Sequence, residues 1–139
     1  GCRTPMPWDR HAAHAGFSDA APWLPVPADH LDLAVCEQER DAASVLNRNR
    51  AFYRWRKRHA PLARGDMAFL DSPDETLVFT RSLQGEKILC AFNLGAEPVT
   101  ISLPHLILDD LNAPGFTGTL EGTEIALDGL EALFARVIS

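Results

Sequence analysis

The residues able to do chemistry are few in type and widely spaced. Five histidines (His11, His14, His30, His59, His105) show only one chelating interval, the three-residue step from His11 to His14. That step lies in an Ala-rich loop with no third ligand nearby, so no metal site is expected. Cys2, Cys36 and Cys90 are an odd number without a C-x-x-C pair. They read as small apolar residues in a reducing compartment, which points to a cytoplasmic location and no redox or metal cofactor. Among nineteen Asp and Glu none forms a recognisable acid/base pair, and Asp9 reads as a loop carboxylate. Arg3 holds five N–H donors in a rigid plane, so it can pair with a carboxylate and still donate to other oxygens. Trp8 and Trp23 offer flat apolar faces, but prolines and aliphatics flank both, which favours anchoring over ligand stacking.

The elements that must hold these residues fall into two halves of opposite charge. Residues 1–64 carry ten Lys/Arg against seven Asp/Glu, and residues 65–139 carry three against twelve. A boundary near Gly65 follows. Residues 48–64 hold seven of the basic side chains, yet the acidic remainder and a pI near 5.2 make this a solvated helix face and exclude nucleic acid. No apolar run has the length of a membrane span. The opening Gly1-Cys2-Arg3 has neither an initiator Met nor a signal segment and reads as an internal start.

Residues 1–36 contain five of the ten prolines and keep no period, which predicts a long irregular loop packed on something large. A helix is predicted over 41–60, with Asp41 as N-cap and Pro61 and Gly65 as its stop. Val45, Phe52, Trp55 and Leu62, at spacings of seven, three and seven, form its apolar stripe. From Asp66 onward eight short strands are predicted, over 67–70, 76–82, 87–93, 99–103, 106–110, 118–120, 123–127 and 133–138. Turn signals such as Gln84-Gly85 and Asp128-Gly129 separate them. That density predicts an antiparallel sandwich or barrel, with Phe69, Phe79, Phe92, Phe116 and Phe134 largely in its core.

The stretch Gly1-Cys2-Arg3-Thr4-Pro5-Met6-Pro7-Trp8-Asp9 resembles the R-T-P-M-x-W segment of the α-glucosidase branch of the α-amylase superfamily. Ala15-Gly16-Phe17-Ser18, Pro22-Trp23-Leu24-Pro25-Val26, Gln38, Ser44-Val45-Leu46-Asn47 and the Leu62-x-x-Gly65 exit follow in the family's order. Ala91-Phe92-Asn93-Leu94 and Ala132-Leu133-Phe134-Ala135 carry a thinner likeness beyond residue 65. Two places depart from the pattern: Arg48-Asn49 replaces an apolar-aromatic pair, and Ala60-Pro61-Leu62 stands where Pro-Ala-Leu is usual.

The resemblance implies an α+β chain: residues 1–64 as the last loop and helix of a (β/α)₈ barrel, then an antiparallel β-sandwich of about eight strands over 65–139. It implies an exo-acting α-glucosidase that releases terminal glucose with retention, without cofactor or metal. Retention needs a nucleophile and a proton donor about 5 Å apart. The family places both upstream, so no catalytic residue is expected here. Arg3 is expected to bind substrate, closing the sugar pocket in partnership with an Asp from the rest of the barrel. A transglycosylating or isomerising relative, such as a trehalose synthase or sucrose isomerase, is the alternative within the superfamily. A stand-alone carbohydrate-binding module is the alternative outside it. The four stripe residues of the helix are expected to pack on the missing barrel. Their exposure in isolation would forfeit about 6–12 kcal/mol, leaving residues 1–64 poorly ordered while the sandwich folds by itself.

Overall fold

A computed structural model describes residues 3–138. Contacts divide the chain after Arg50 into two compact units.

The first unit is mostly irregular, as its prolines dictate, but it is ordered by backbone hydrogen bonds. Short 3₁₀ turns lie at Ala13–Gly16 and Ala28–Leu33, and a six-residue helix α1 at Val35–Arg40. Helix α1 was not expected, because its Cys-Glu-Gln-Glu-Arg run carries no apolar stripe. Helix α2 spans Val45–Arg58. Its cap is Ser44 rather than Asp41: the Ser44 hydroxyl accepts from the Asn47 amide at 3.2 Å and donates to the Gln38 carbonyl at 2.7 Å. Asp41 instead closes a turn by accepting from the Ala43 amide at 2.8 Å. Gln38 and Asn47 tie α1 to the start of α2. The Gln38 side-chain oxygen accepts from the Leu46 amide at 3.1 Å, and Asn47 Nδ2 donates to the carbonyls of Gln38 and Asp41, both at 2.9 Å.

The second unit holds the eight expected strands. They are β1 (Asp66–Leu70), β2 (Thr76–Leu83), β3 (Glu86–Asn93), β4 (Val99–Ser102), β5 (Leu108–Asp110), β6 (Thr119–Glu121), β7 (Glu124–Leu127) and β8 (Ala132–Val137). A five-stranded sheet runs β1-β2-β3-β8-β5 and a three-stranded sheet β4-β7-β6, with antiparallel pairing throughout. The β2–β3 hairpin turns through Gln84 and Gly85, both at positive φ, the geometry a two-residue loop requires.

The sheets enclose Val78, Leu89, Ala91, Ile101, Ile125, Leu127, Leu133 and Ala135. The opposite face of the larger sheet is also sealed. There Ile88, Cys90, Ala132 and Phe134 form one cluster with Trp55, Leu62 and Ala113, and Phe52, Phe92 and Phe116 pack around it. Trp55 stacks on Phe52 at 5.6 Å and meets Phe134 edge-on at 5.4 Å. Its indole N–H donates to the Leu111 carbonyl at 3.3 Å.

This corrects the expected role of the apolar stripe. Trp55 and Leu62 are buried and Phe52 half-buried against the sandwich, while Val45 stays 70% exposed. The helix also ends differently. It breaks at His59, and Pro61 sits in the first turn of a new helix α3, Ala60–Arg64, where a missing N–H is harmless. That break swings Leu62 into the cluster that Trp55 enters.

Candidate functional site

Arg3, Trp8 and Asp9 lie together in the first unit, on one segment, whereas His59, His105 and Cys90 belong to the second. Arg3 is in a turn and exposed, and Pro5 two residues on is buried. The Trp8 and Asp9 amides both donate to the Ala15 carbonyl, at 2.8 and 3.0 Å. The Pro7 and Trp8 carbonyls accept from the Val35 and Cys36 amides at the start of α1, at 3.1 and 3.0 Å. Those helical amides have no acceptor within their own helix, so the pairing satisfies both partners.

Asp9 is used by its own loop, accepting from the His11 amide at 2.9 Å and from Cys36 Sγ at 3.8 Å. Around it, Arg10 pairs with Asp32 at 3.1 Å, and Glu37 faces Arg40 at 3.2 Å and His11 at 3.9 Å. Among the described residues no three His, Cys, Asp or Glu stand together in a metal-binding group.

Trp8 and Trp23 are 51% and 89% exposed, so neither anchors a core within this chain. With Met6, Phe17 and Leu33, also exposed, they give the first unit an apolar surface. Cys90 is buried, and burial pushes its thiol up to about 12 against a small opposing pull from the Arg81 guanidinium. Cys36 is half-buried, and Cys2 lies outside the described residues.

In the sandwich, Phe134 is buried and Phe79, Phe92 and Phe116 are half-buried, consistent with core residues. Phe69 is not: it lies on edge strand β1 and is 68% exposed. Phe79 and Phe92 stack at 5.8 Å, and Phe92 and Phe116 each contact Phe134 at 5.5 Å, so these four rings are spent on packing.

The backbone anchors Ala15, Val35 and Cys36 were invisible as site residues, because they act through groups every residue has. The one available signal was Gly16, which adopts φ +68°.

The described residues thus form a Pro-rich irregular segment with short helices, followed by an eight-stranded antiparallel sandwich. The alpha amylase catalytic-domain model matches residues 1–65, and the maltogenic amylase C-terminal-domain model matches residues 67–129. The chain belongs to the α-amylase family.

It is 41% identical over 137 residues to a probable alpha-glucosidase of Rhizobium meliloti, covering 99% of this chain and 25% of that protein. An oligo-1,6-glucosidase of Halalkalibacterium halodurans is 33% identical over 118 residues, covering 78% and 21%. Among solved structures, the alpha-glucosyl transfer enzyme XgtA superposes with a TM-score of 0.90 at 41% identity, over 99% of this chain and 26% of that one. The trehalulose synthase MutB of Pseudomonas mesoacidophila superposes with a TM-score of 0.79 at 27% identity, over 97% and 25%. The chain thus spans about a quarter of the length of the relatives it matches.

Proposed function

We propose that this chain is the C-terminal part of an exo-acting, retaining α-glucosidase. Residues 1–64 form the last loop and helix of its (β/α)₈ barrel, and residues 65–139 its sandwich domain. The observation that carries the reading is the Arg3-Thr4-Pro5-Met6-Pro7-Trp8 segment, within a chain 41% identical to a probable alpha-glucosidase over nearly its whole length. Polypeptide outside these 139 residues supplies the two reactive carboxylates. One attacks the anomeric carbon while the other protonates the departing oxygen, and water later resolves the glycosyl-enzyme.

Arg3 takes the role of substrate binder at the closed end of the pocket. Its planar donors pair with a barrel Asp and reach the hydroxyls of the non-reducing glucose. The pair blocks a longer chain from running through, which restricts cleavage to the terminal sugar. The exposed Met6, Trp8, Phe17, Trp23 and Leu33 are the face that meets the barrel. The free thiols of Cys36 and Cys90 support a cytoplasmic location.

Arg3→Ala in the complete protein tests the assignment. It leaves a desolvated carboxylate unpaired, and kcat/KM for a nitrophenyl α-glucoside is expected to fall by about 2–5 kcal/mol in barrier. Turnover within twofold of wild type would remove Arg3 from the site. The 41% identity to an alpha-glucosyl transfer enzyme favours a second outcome, in which a sugar hydroxyl replaces water as acceptor. Product analysis with maltose, scoring glucose against longer oligosaccharides, decides between them.

A further inference from the structure

Every backbone polar group from the Pro7 carbonyl to the Asp9 amide is engaged: two amides by the Ala15 carbonyl and two carbonyls by the first amides of α1. To present that carbonyl, the chain passes through three successive left-handed residues: His14 (φ 52°), Ala15 (φ 54°) and Gly16 (φ 68°). For the two non-glycine residues this costs about 1–2 kcal/mol each. Such strain persists only where the surroundings over-determine it, and it concentrates at functional sites.

Gly16 also packs on the residues that Ala15 holds. A Cβ at position 16 would lie 3.3 Å from the Asp9 nitrogen and 3.4 Å from Trp8 Cβ. Between this anchorage and Arg3 stand Pro5 and Pro7, whose rings fix φ and leave the intervening backbone little freedom. A shift at Trp8 is therefore passed along toward the guanidinium rather than absorbed.

We infer that the left-handed turn at residues 14–16 is a positioning device for the sugar-pocket wall, with Gly16 the positioning residue that sets where Arg3 stands. The inference rests on the pocket role proposed above for Arg3. Gly16 touches no substrate. It lets residues 8 and 9 approach the turn closely enough for both amides to share one carbonyl.

The test is a mutant cycle in the complete protein, read with a nitrophenyl α-glucoside and with glucose as a competitive inhibitor. Gly16→Ala raises KM and the glucose inhibition constant and lowers kcat/KM about tenfold, since displacements below 1 Å at a positioning contact have effects of this order. Ala15→Gly keeps both the carbonyl and the space, so its loss in kcat/KM is expected to be smaller than that of Gly16→Ala, and an equal or larger loss would overturn the assignment to Gly16. Arg3→Ala combined with Gly16→Ala is no slower than Arg3→Ala alone, because both remove the same interaction.

Additive losses would overturn the inference while leaving Arg3 in the pocket. A fully active Arg3→Ala would remove the pocket role, and the inference with it. Amide exchange on the wild-type protein gives a reading independent of how Gly16→Ala folds. The Trp8 and Asp9 amides are expected to be protected, and exchange at the free-peptide rate would overturn the clamp.

Discussion

Truncating Trp55 to Ala tests whether α2 seals the outer face of the larger sheet. The side chain is only 5% exposed and contacts Phe52, His59 and Phe134 at ring distances of 5.6, 4.4 and 5.4 Å. Removing a buried tryptophan costs about 3–5 kcal/mol in lost transfer energy and residual cavity. The Leu111 carbonyl loses its indole donor as well. Trp55→Phe separates the two effects, since it keeps most of the ring volume and forfeits the hydrogen bond, for about 1 kcal/mol.

The assay is thermal unfolding followed by far-ultraviolet circular dichroism. For a chain of this size a loss of about 4 kcal/mol lowers Tm by roughly 10–15 °C. Paired fragments sharpen the comparison. Residues 51–139 keep Trp55 and Leu62 and are expected to unfold cooperatively. Residues 65–139 leave Ile88, Cys90 and Phe134 without their cover and are expected to lose cooperativity. A Trp55→Ala variant melting within about 2 °C of wild type, or a fragment 65–139 as stable as 51–139, would show that the sandwich does not need the helix.

Further expectations follow from single buried groups. Asn93 is buried, donates to the carbonyls of Glu97 and Asp128 at 2.7 and 2.9 Å, and accepts from the Gly95 amide at 3.0 Å. Asn93→Leu orphans three backbone groups and is expected to destabilise by at least about 3 kcal/mol in urea titration. Ser44→Ala removes the α2 cap and is expected to cost about 1 kcal/mol, with Ser44→Asp retaining most of the stability. Burial lifts the folded-state Cys90 thiol from 9.0 to about 12, so its contribution is complete below pH 9 and is lost as pH climbs from 9 toward 12. Cys90→Ala should flatten the stability profile in that window by up to about 1.4 kcal/mol per pH unit. In the native wild type at pH 8, Cys90 should resist Ellman's reagent until urea unfolds the chain.

Local signals were sufficient wherever one stretch decides its own structure. All eight strands were legible, because alternation in β7 and turn chemistry at Gln84-Gly85 are local properties. The Arg3 segment was legible through a run of residue types in a recognisable order. What holds that segment was not: Ala15, Val35 and Cys36 contribute backbone groups, and no side-chain identity announces a carbonyl placed to accept twice. Helix α1 escaped for a related reason. Six polar-rich residues have no stripe to read, and Gln38 and Asn47 hold the helix by bonds from distant positions.

The partner of α2 is not legible in the helix alone, because a periodic stripe states which residues need cover but not which surface supplies it. The strands contained the missing information. Residues 88–91 of β3 and 132–135 of β8 are buried without interruption, so both faces of the larger sheet are covered. The smaller sheet, with strands of three and four residues, can cover one face only. A second layer had to come from elsewhere, and the amphipathic segment nearest in sequence is the end of α2 with α3. Phe52, Trp55 and Leu62 supply that layer, and Val45, on the far side of the division between the two units, does not. Doubly apolar strands thus demand a helix as firmly as an apolar helix demands a sheet, and matching the two demands assigns the contact.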